Sequence, residues 1–232
     1  FDVPMEKVAE LARGLSWYKM SKLAYSPMGL ANGEVIGEFI DKLIGKDARI
    51  EDAKIPLAIV ATDIETGGKV VFRAGNVAKA VMASTSIPGL FAPVSHEGAL
   101  LVDGGLVENL PVTELASLGA DVTIGVNLAR WRMFPHPKSV IGVMVNSMDI
   151  MVHQQSVMHG KEADLVIEPH LEAFTSSDWD KTDALINEGY RVTTKMLPSI
   201  RALAEQRRAT EKTKKHIPWY KRVWRSIYRQ KK

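Results

Sequence analysis

Leu101-Val102-Asp103-Gly104-Gly105-Leu106-Val107-Glu108-Asn109-Leu110-Pro111 ends an apolar run on a carboxylate and then turns on two glycines. With Ala99 and Leu100 before it, the run predicts a buried strand that delivers Asp103 at its end. Gly104 and Gly105 allow positive φ and a close approach of backbone to its neighbours. Strand ends with glycine turns are where α/β folds place ligand and catalytic groups. A lone Asp-Gly is more often only a turn, so the reading depends on its surroundings. Just upstream lies a second informative stretch, Ala83-Ser84-Thr85-Ser86-Ile87-Pro88-Gly89-Leu90-Phe91-Ala92-Pro93.

Further strands are predicted at Ile55 to Ala61, Val122 to Leu128 and, more weakly, Asp164 to Ile167, with Lys69 to Arg73 between the first two. Continuous apolar runs alternating with helical segments suit a parallel sheet covered on both faces. Helices are predicted from Pro4 to about Tyr18, from about Asn32 to Ile44 with Gly45 as the stop, from Asn76 to Met82 and from Pro111 to Leu118. A long helix follows Asp178, with a bend expected at Pro198. The expected fold is α/β, three layers with a mainly parallel central sheet.

The chain has 232 residues, 46% hydrophobic and 25% charged, an ordinary globular composition. It contains no cysteine, which excludes disulfides, thiolate-bound metal and thiol catalysis. No run of 18 apolar residues occurs, so a spanning helix is not expected; Asn146, Ser147 and Asp149 interrupt the most apolar stretch. The net charge of +3 is unevenly spread: residues 201–232 carry 12 Lys or Arg against two Glu, which is +10 and leaves −7 on the rest. The organisation expected is one domain over 1–210 and a basic tail over 211–232.

Walker A, G-x-G-x-x-G, H-E-x-x-H and EF-hand patterns are all missing, so no cofactor or metal is expected. His153 and His159 stand six apart, on different sides of a helix, and suit solvent or polar core roles better than metal ligation.

Taken with Asp63-Ile64-Glu65-Thr66-Gly67, Phe72-Arg73-Ala74-Gly75 and Gly119-Ala120-Asp121-Val122-Thr123-Ile124-Gly125-Val126, the two stretches resemble the patatin-like phospholipase family. The resemblance is strong from Ile55 to Leu128 and weaker at Asp164 to Ile167 and Asp183 to Tyr190. It implies a serine-dependent acyl hydrolase with a Ser–Asp dyad, a lipid acyl ester as substrate and Asp103 as the base. Gly104, Gly105 and Asn109 would support the motif loop, and Ser84, Ser86, Pro88 and Gly89 would pack beneath it.

Two family signatures are missing. No Gly-x-Ser-x-Gly elbow exists; Ser16, in Gly14-Leu15-Ser16-Trp17-Tyr18, lies in a helical pattern and reads as helix surface. No glycine-rich oxyanion loop exists either. Both precede this region in the family. Either the chain is the C-terminal portion of a longer hydrolase or it has lost the chemistry; Phe1 is no initiator, which favours the first. As it stands the chain is expected to be inactive. The alternative is a non-catalytic protein that binds a membrane or a partner on the same scaffold.

In the tail, Tyr220, Val223, Trp224, Ile227 and Tyr228 fall on one side of a helix begun at Pro218, with basic residues over the remainder. Trp219, Tyr220, Trp224, Arg225 and Tyr228 are the candidates for contact with an anionic membrane. A solvated helix docked on the domain carries equal weight, and nucleic-acid binding is not expected. A cytoplasmic protein, peripheral at the membrane, is the expectation.

Overall fold

The computed structural model describes residues 1–14, 23–26, 28–31, 33–129, 134, 136–175 and 178–215. The chain divides into two compact units, Phe1–Val192 and Thr193–Lys232. Ser16 and the tail candidates Trp219, Tyr220, Trp224, Arg225 and Tyr228 lie outside the described residues.

The first unit is α/β. Among the described residues its helices are α1 (Met5–Arg13), α2 (Glu34–Ile44), α3 (Val77–Ser84), α4 (Gly105–Glu108), α5 (Thr113–Ser117) and α6 (Val140–His159), and α7 (Thr182–Lys215) begins in it. The strands are β1 (Leu23–Ser26), β2 (Gly29–Ala31), β3 (Ile59–Asp63), β4 (Lys69–Phe72), β5 (Gly89–Phe91), β6 (Val94–His96), β7 (Ala99–Asp103), β8 (Ile124–Val126) and β9 (Leu165–Ile167). They form three sheets ordered β1-β2-β5, β4-β3-β7-β6 and β8-β9.

Parallel pairing joins β2 to β5 and β8 to β9, whereas the four-stranded sheet is antiparallel throughout. Pairing is therefore mixed, not mainly parallel as expected, and the connections explain why. β6 returns into β7 through Glu97 and Gly98 alone, at φ 48° and 87°, the positive pair that a two-residue hairpin requires. β3 returns into β4 through the turn that Asp63 begins: its carboxylate accepts from the Glu65 N–H at 3.0 Å and from Thr66 Oγ1 at 2.7 Å. Links this short join only antiparallel strands, because a parallel crossover needs about a dozen residues. β3 begins at Ile59, not Ile55, which is exposed; Pro56 lacks the N–H that a ladder would use.

The main core lies between α3 and the four-stranded sheet. Val77, Ala80 and Ala83 of the helix meet Ala61, Phe72 and Leu101 of the strands, with Ile50 closing one end. Small side chains on α3 let the helix sit close to the sheet, and Asn76 fixes its start by accepting from the Lys79 N–H at 2.8 Å. Leu101 is wholly buried in this cluster, so Leu101→Ala should cost about 2–5 kcal/mol of folding free energy, read by urea unfolding. α2 lies against α3 through Gly37, where an added β-carbon would stand 2.6 Å from the Met82 sulfur.

Candidate active site

Asp103 is the last residue of β7 and pairs with Ala61 of β3. Its backbone is held on three sides. The Asp103 N–H donates to the Ser86 carbonyl at 3.0 Å, and the Gly104 N–H donates to the Ser84 carbonyl at 3.3 Å. Thr62 Oγ1 donates to the Asp103 carbonyl at 2.8 Å. Buried Ser86 is fixed in turn by its hydroxyl, which donates to the Met82 carbonyl at 2.7 Å. Pro88 and Gly89 then form a turn closed by the Leu90 N–H on the Ile87 carbonyl at 3.1 Å, with Gly89 at φ 82° as a type II turn requires. The two stretches that define the sequence reading thus meet at Asp103.

The glycines after Asp103 serve close approach only. Gly104 has an ordinary helical φ of −66°, and a β-carbon on it would lie 2.1 Å from the Val60 carbonyl oxygen. A β-carbon on Gly105 would meet Asp103 Oδ1 at 3.0 Å and Asn109 Oδ1 at 3.1 Å. The expectation of positive φ at this pair does not hold, because α4 starts here in right-handed geometry.

One carboxylate oxygen is occupied: the Gly105 N–H donates to Asp103 Oδ1 at 2.7 Å. Oδ2 accepts no hydrogen bond among the described residues. Burial pushes the Asp103 carboxyl above the usual Asp range; the Gly105 N–H opposes this, and the charge of Asp149 on α6 adds to it. A half-buried carboxylate with a raised pKa and one open oxygen can take a proton from a hydroxyl placed beside it.

α4 is tied to its surroundings by groups that the sequence did not single out. Asn109 Nδ2 donates to Ser156 Oγ at 2.7 Å, and Gln155 Nε2 donates to the Leu106 carbonyl at 2.7 Å. Buried Glu108 accepts from Lys69 Nζ at 2.7 Å and from Thr113 Oγ1 at 2.6 Å. Burial works against that carboxylate, but the Lys69 and Thr113 bonds outweigh it and hold Glu108 below its ordinary pKa. Lys69 also bonds Glu114 Oε1 at 2.6 Å. Apart from Thr113, five residues from Glu108, these partners are 39 to 49 residues apart in the chain, and no local spacing announces such pairs.

Of the two histidines noted in the sequence, His153 Nδ1 lies 2.8 Å from the Ala129 carbonyl and His159 Nδ1 is buried. Among the described residues no group of three or more His, Cys, Asp or Glu could hold a metal ion. Among the same residues no helix is long and apolar enough to cross a membrane.

Residues 4–116 match the sequence model of patatin-like phospholipases. An uncharacterized NTE family protein of Mycobacterium tuberculosis is 32% identical over 157 residues, which are 66% of this chain and 43% of that protein. The lysophospholipase nte1 of Aspergillus oryzae is 26% identical over 216 residues, 80% of this chain and 14% of its own length. That of Emericella nidulans is 32% identical over 115 residues, 50% of this chain and 8% of its own. The chain thus spans less than half the length of the curated relatives it matches.

Proposed function

The chain belongs to the patatin-like phospholipase family, and from that premise we propose that it carries the base of a serine-dependent lipid acyl hydrolase. Asp103 is that base, and the nucleophilic serine and oxyanion donors come from sequence outside the 232 residues. The observation that carries this is the Asp103 carboxylate itself, half-buried at a strand end with Oδ1 held by Gly105 and Oδ2 open.

In acylation Oδ2 takes the serine proton while the serine oxygen attacks the ester carbonyl carbon. The proton then passes to the leaving alcohol as the ester bond breaks. In deacylation the same carboxylate takes a proton from water, whose oxygen attacks the acyl-enzyme and releases the fatty acid. A neutral serine needs such a base because it is a weak nucleophile near pH 7. The substrate class is a phospholipid or lysophospholipid, which the lysophospholipase names of the fungal relatives support.

The direct test is fatty-acid release from lysophosphatidylcholine and from phosphatidylcholine vesicles by the natural full-length protein. Release that needs Asp103 supports the reading, and a full-length protein that releases none contradicts it. By itself the 232-residue chain should release none.

The pH dependence has a defined sign. The base works only when ionised, and burial raises its pKa in the fold. The acid limb of kcat/KM should therefore lie above the ordinary Asp value of about 3.9. Asp149→Asn removes a like charge, so the limb should move to lower pH.

For the tail we propose a peripheral role at anionic membrane, on the basic and aromatic pattern of residues 212–232. Deleting those residues should abolish most sedimentation with phosphatidylserine-containing vesicles at moderate salt. Undiminished sedimentation would remove this role.

A further inference from the structure

We propose that Ser156 and Gln155 of α6 are positioning residues for the Asp103 carboxylate, acting through the loop Gly105–Asn109. The proposal rests on the reading of Asp103 as the base.

The carboxylate is oriented by one hydrogen bond, from the Gly105 N–H at 2.7 Å. Gly105 opens α4, a single four-residue turn. So short a helix has no stability of its own and takes its position from what it is bonded to. Lys69 and Thr113 bond its Glu108, and two adjacent residues of α6 supply the bonds nearest the carboxylate. Gln155 Nε2 holds the Leu106 carbonyl at 2.7 Å, one residue after Gly105, and Ser156 Oγ holds Asn109 Nδ2 at 2.7 Å, at the far end of the turn.

Ser156 has no freedom to reorient. It is 0% exposed, and its hydroxyl proton is committed to the Val152 carbonyl at 2.8 Å, which leaves a lone pair facing Asn109. With its amide nitrogen fixed there, Asn109 brings Oδ1 against Gly105, 3.1 Å from where a β-carbon would stand. The Asn109 side chain therefore lies between α6 and the residue whose N–H orients the carboxylate.

Gln155 is informative for what it lacks. Its Oε1 is buried with no hydrogen-bond partner, a desolvation cost that an apolar side chain would avoid. A residue placed at such a cost to aim its Nε2 at one carbonyl fits a functional constraint better than a packing one. Asp149 stands seven residues before Ser156, two helical turns along the same face, and its charge acts on Asp103. Glu108, in the loop itself, is paired with Lys69.

The test compares Ser156→Ala and Gln155→Met with Asp103→Asn in the natural full-length protein, each checked for folding by circular dichroism. Both positioning variants should lower kcat about 10- to 100-fold with KM little changed, since small misplacements of a reacting group carry penalties of this order. They should also move the acid limb of kcat/KM to higher pH, because a displaced Gly105 N–H no longer favours the ionised carboxylate. A merely structural role would lower thermal stability and leave that limb in place. If Asp103→Asn is inactive while both variants keep wild-type kcat and an unmoved limb, the positioning role is overturned and the base survives. If Asp103→Asn keeps wild-type turnover, the base reading fails and this proposal falls with it.

Discussion

Asp103→Asn should cut ester hydrolysis by the full-length protein about 10²- to 10⁴-fold and leave its fold intact. Asparagine is nearly isosteric, and its Oδ1 still accepts the Gly105 N–H that the carboxylate accepts at 2.7 Å. What it cannot do is take the serine proton, because an amide is not a base near neutral pH. General-base catalysis is worth about 10²- to 10⁴-fold, so the loss should fall in that range, measured as fatty-acid release. Stability should not fall. Burial raises the carboxyl pKa in the fold, so the folded state binds more protons than the unfolded one as pH rises past the ordinary Asp value. Ionisation therefore opposes folding at neutral pH, and the neutral amide removes that opposition. A stable, inactive Asn variant separates catalysis from architecture; a protein that only binds lipid would show no loss at this position.

Gly104→Ala should have a large effect on the fold. The added methyl would lie 2.1 Å from the Val60 carbonyl oxygen and 2.6 Å from its carbon, both backbone atoms of β3. No rotamer relieves this, so β3 and the Asp103 turn must separate at the centre of the four-stranded sheet. Overpacking against backbone should cost about 3 kcal/mol or more, read as a fall in the urea midpoint. For a protein of this size that is a fall of about 6–12 °C in Tm. Gly105→Ala provides the contrast. Its nearest atoms are side-chain oxygens of Asp103 and Asn109 at 3.0 and 3.1 Å, which can shift. Its stability loss should be smaller, and its loss of activity larger than that stability loss explains, because the shifted atoms belong to the proposed base and its neighbour.

The fold class was legible because local signals agreed with it. The Asn76 cap, the Gly45 stop, the apolar stripe of α2 and the run through Leu101 and Val102 each mark elements that form close to where they are expected. Strand direction was not legible. Fully apolar runs read alike whether their neighbours are parallel or antiparallel, and the deciding feature was the Glu97-Gly98 hairpin, where the positive φ at a glutamate has no sequence signature. The short strands β1, β2, β5 and β6 were missed because runs of three or four residues lack a usable period.

At the site, Asp103, Gly104, Gly105 and Asn109 lie in one short stretch of sequence and could be read together, as could the small-residue turn at Ser86 to Gly89. Ser156, Gln155, Asp149 and Lys69 could not. They reach the loop from other elements through a hydrogen bond or a charge, and an ordinary Ser or Gln in a helix carries no mark of the carbonyl or amide it meets.

The most direct measurement of the central claim is the intact mass of the natural full-length protein before and after a fluorophosphonate, run beside Asp103→Asn. The dyad predicts one adduct on a serine outside these 232 residues, formed rapidly in the wild type and slowed at least about 100-fold in the variant. No adduct on the wild type, or equal labelling of both proteins, would contradict it.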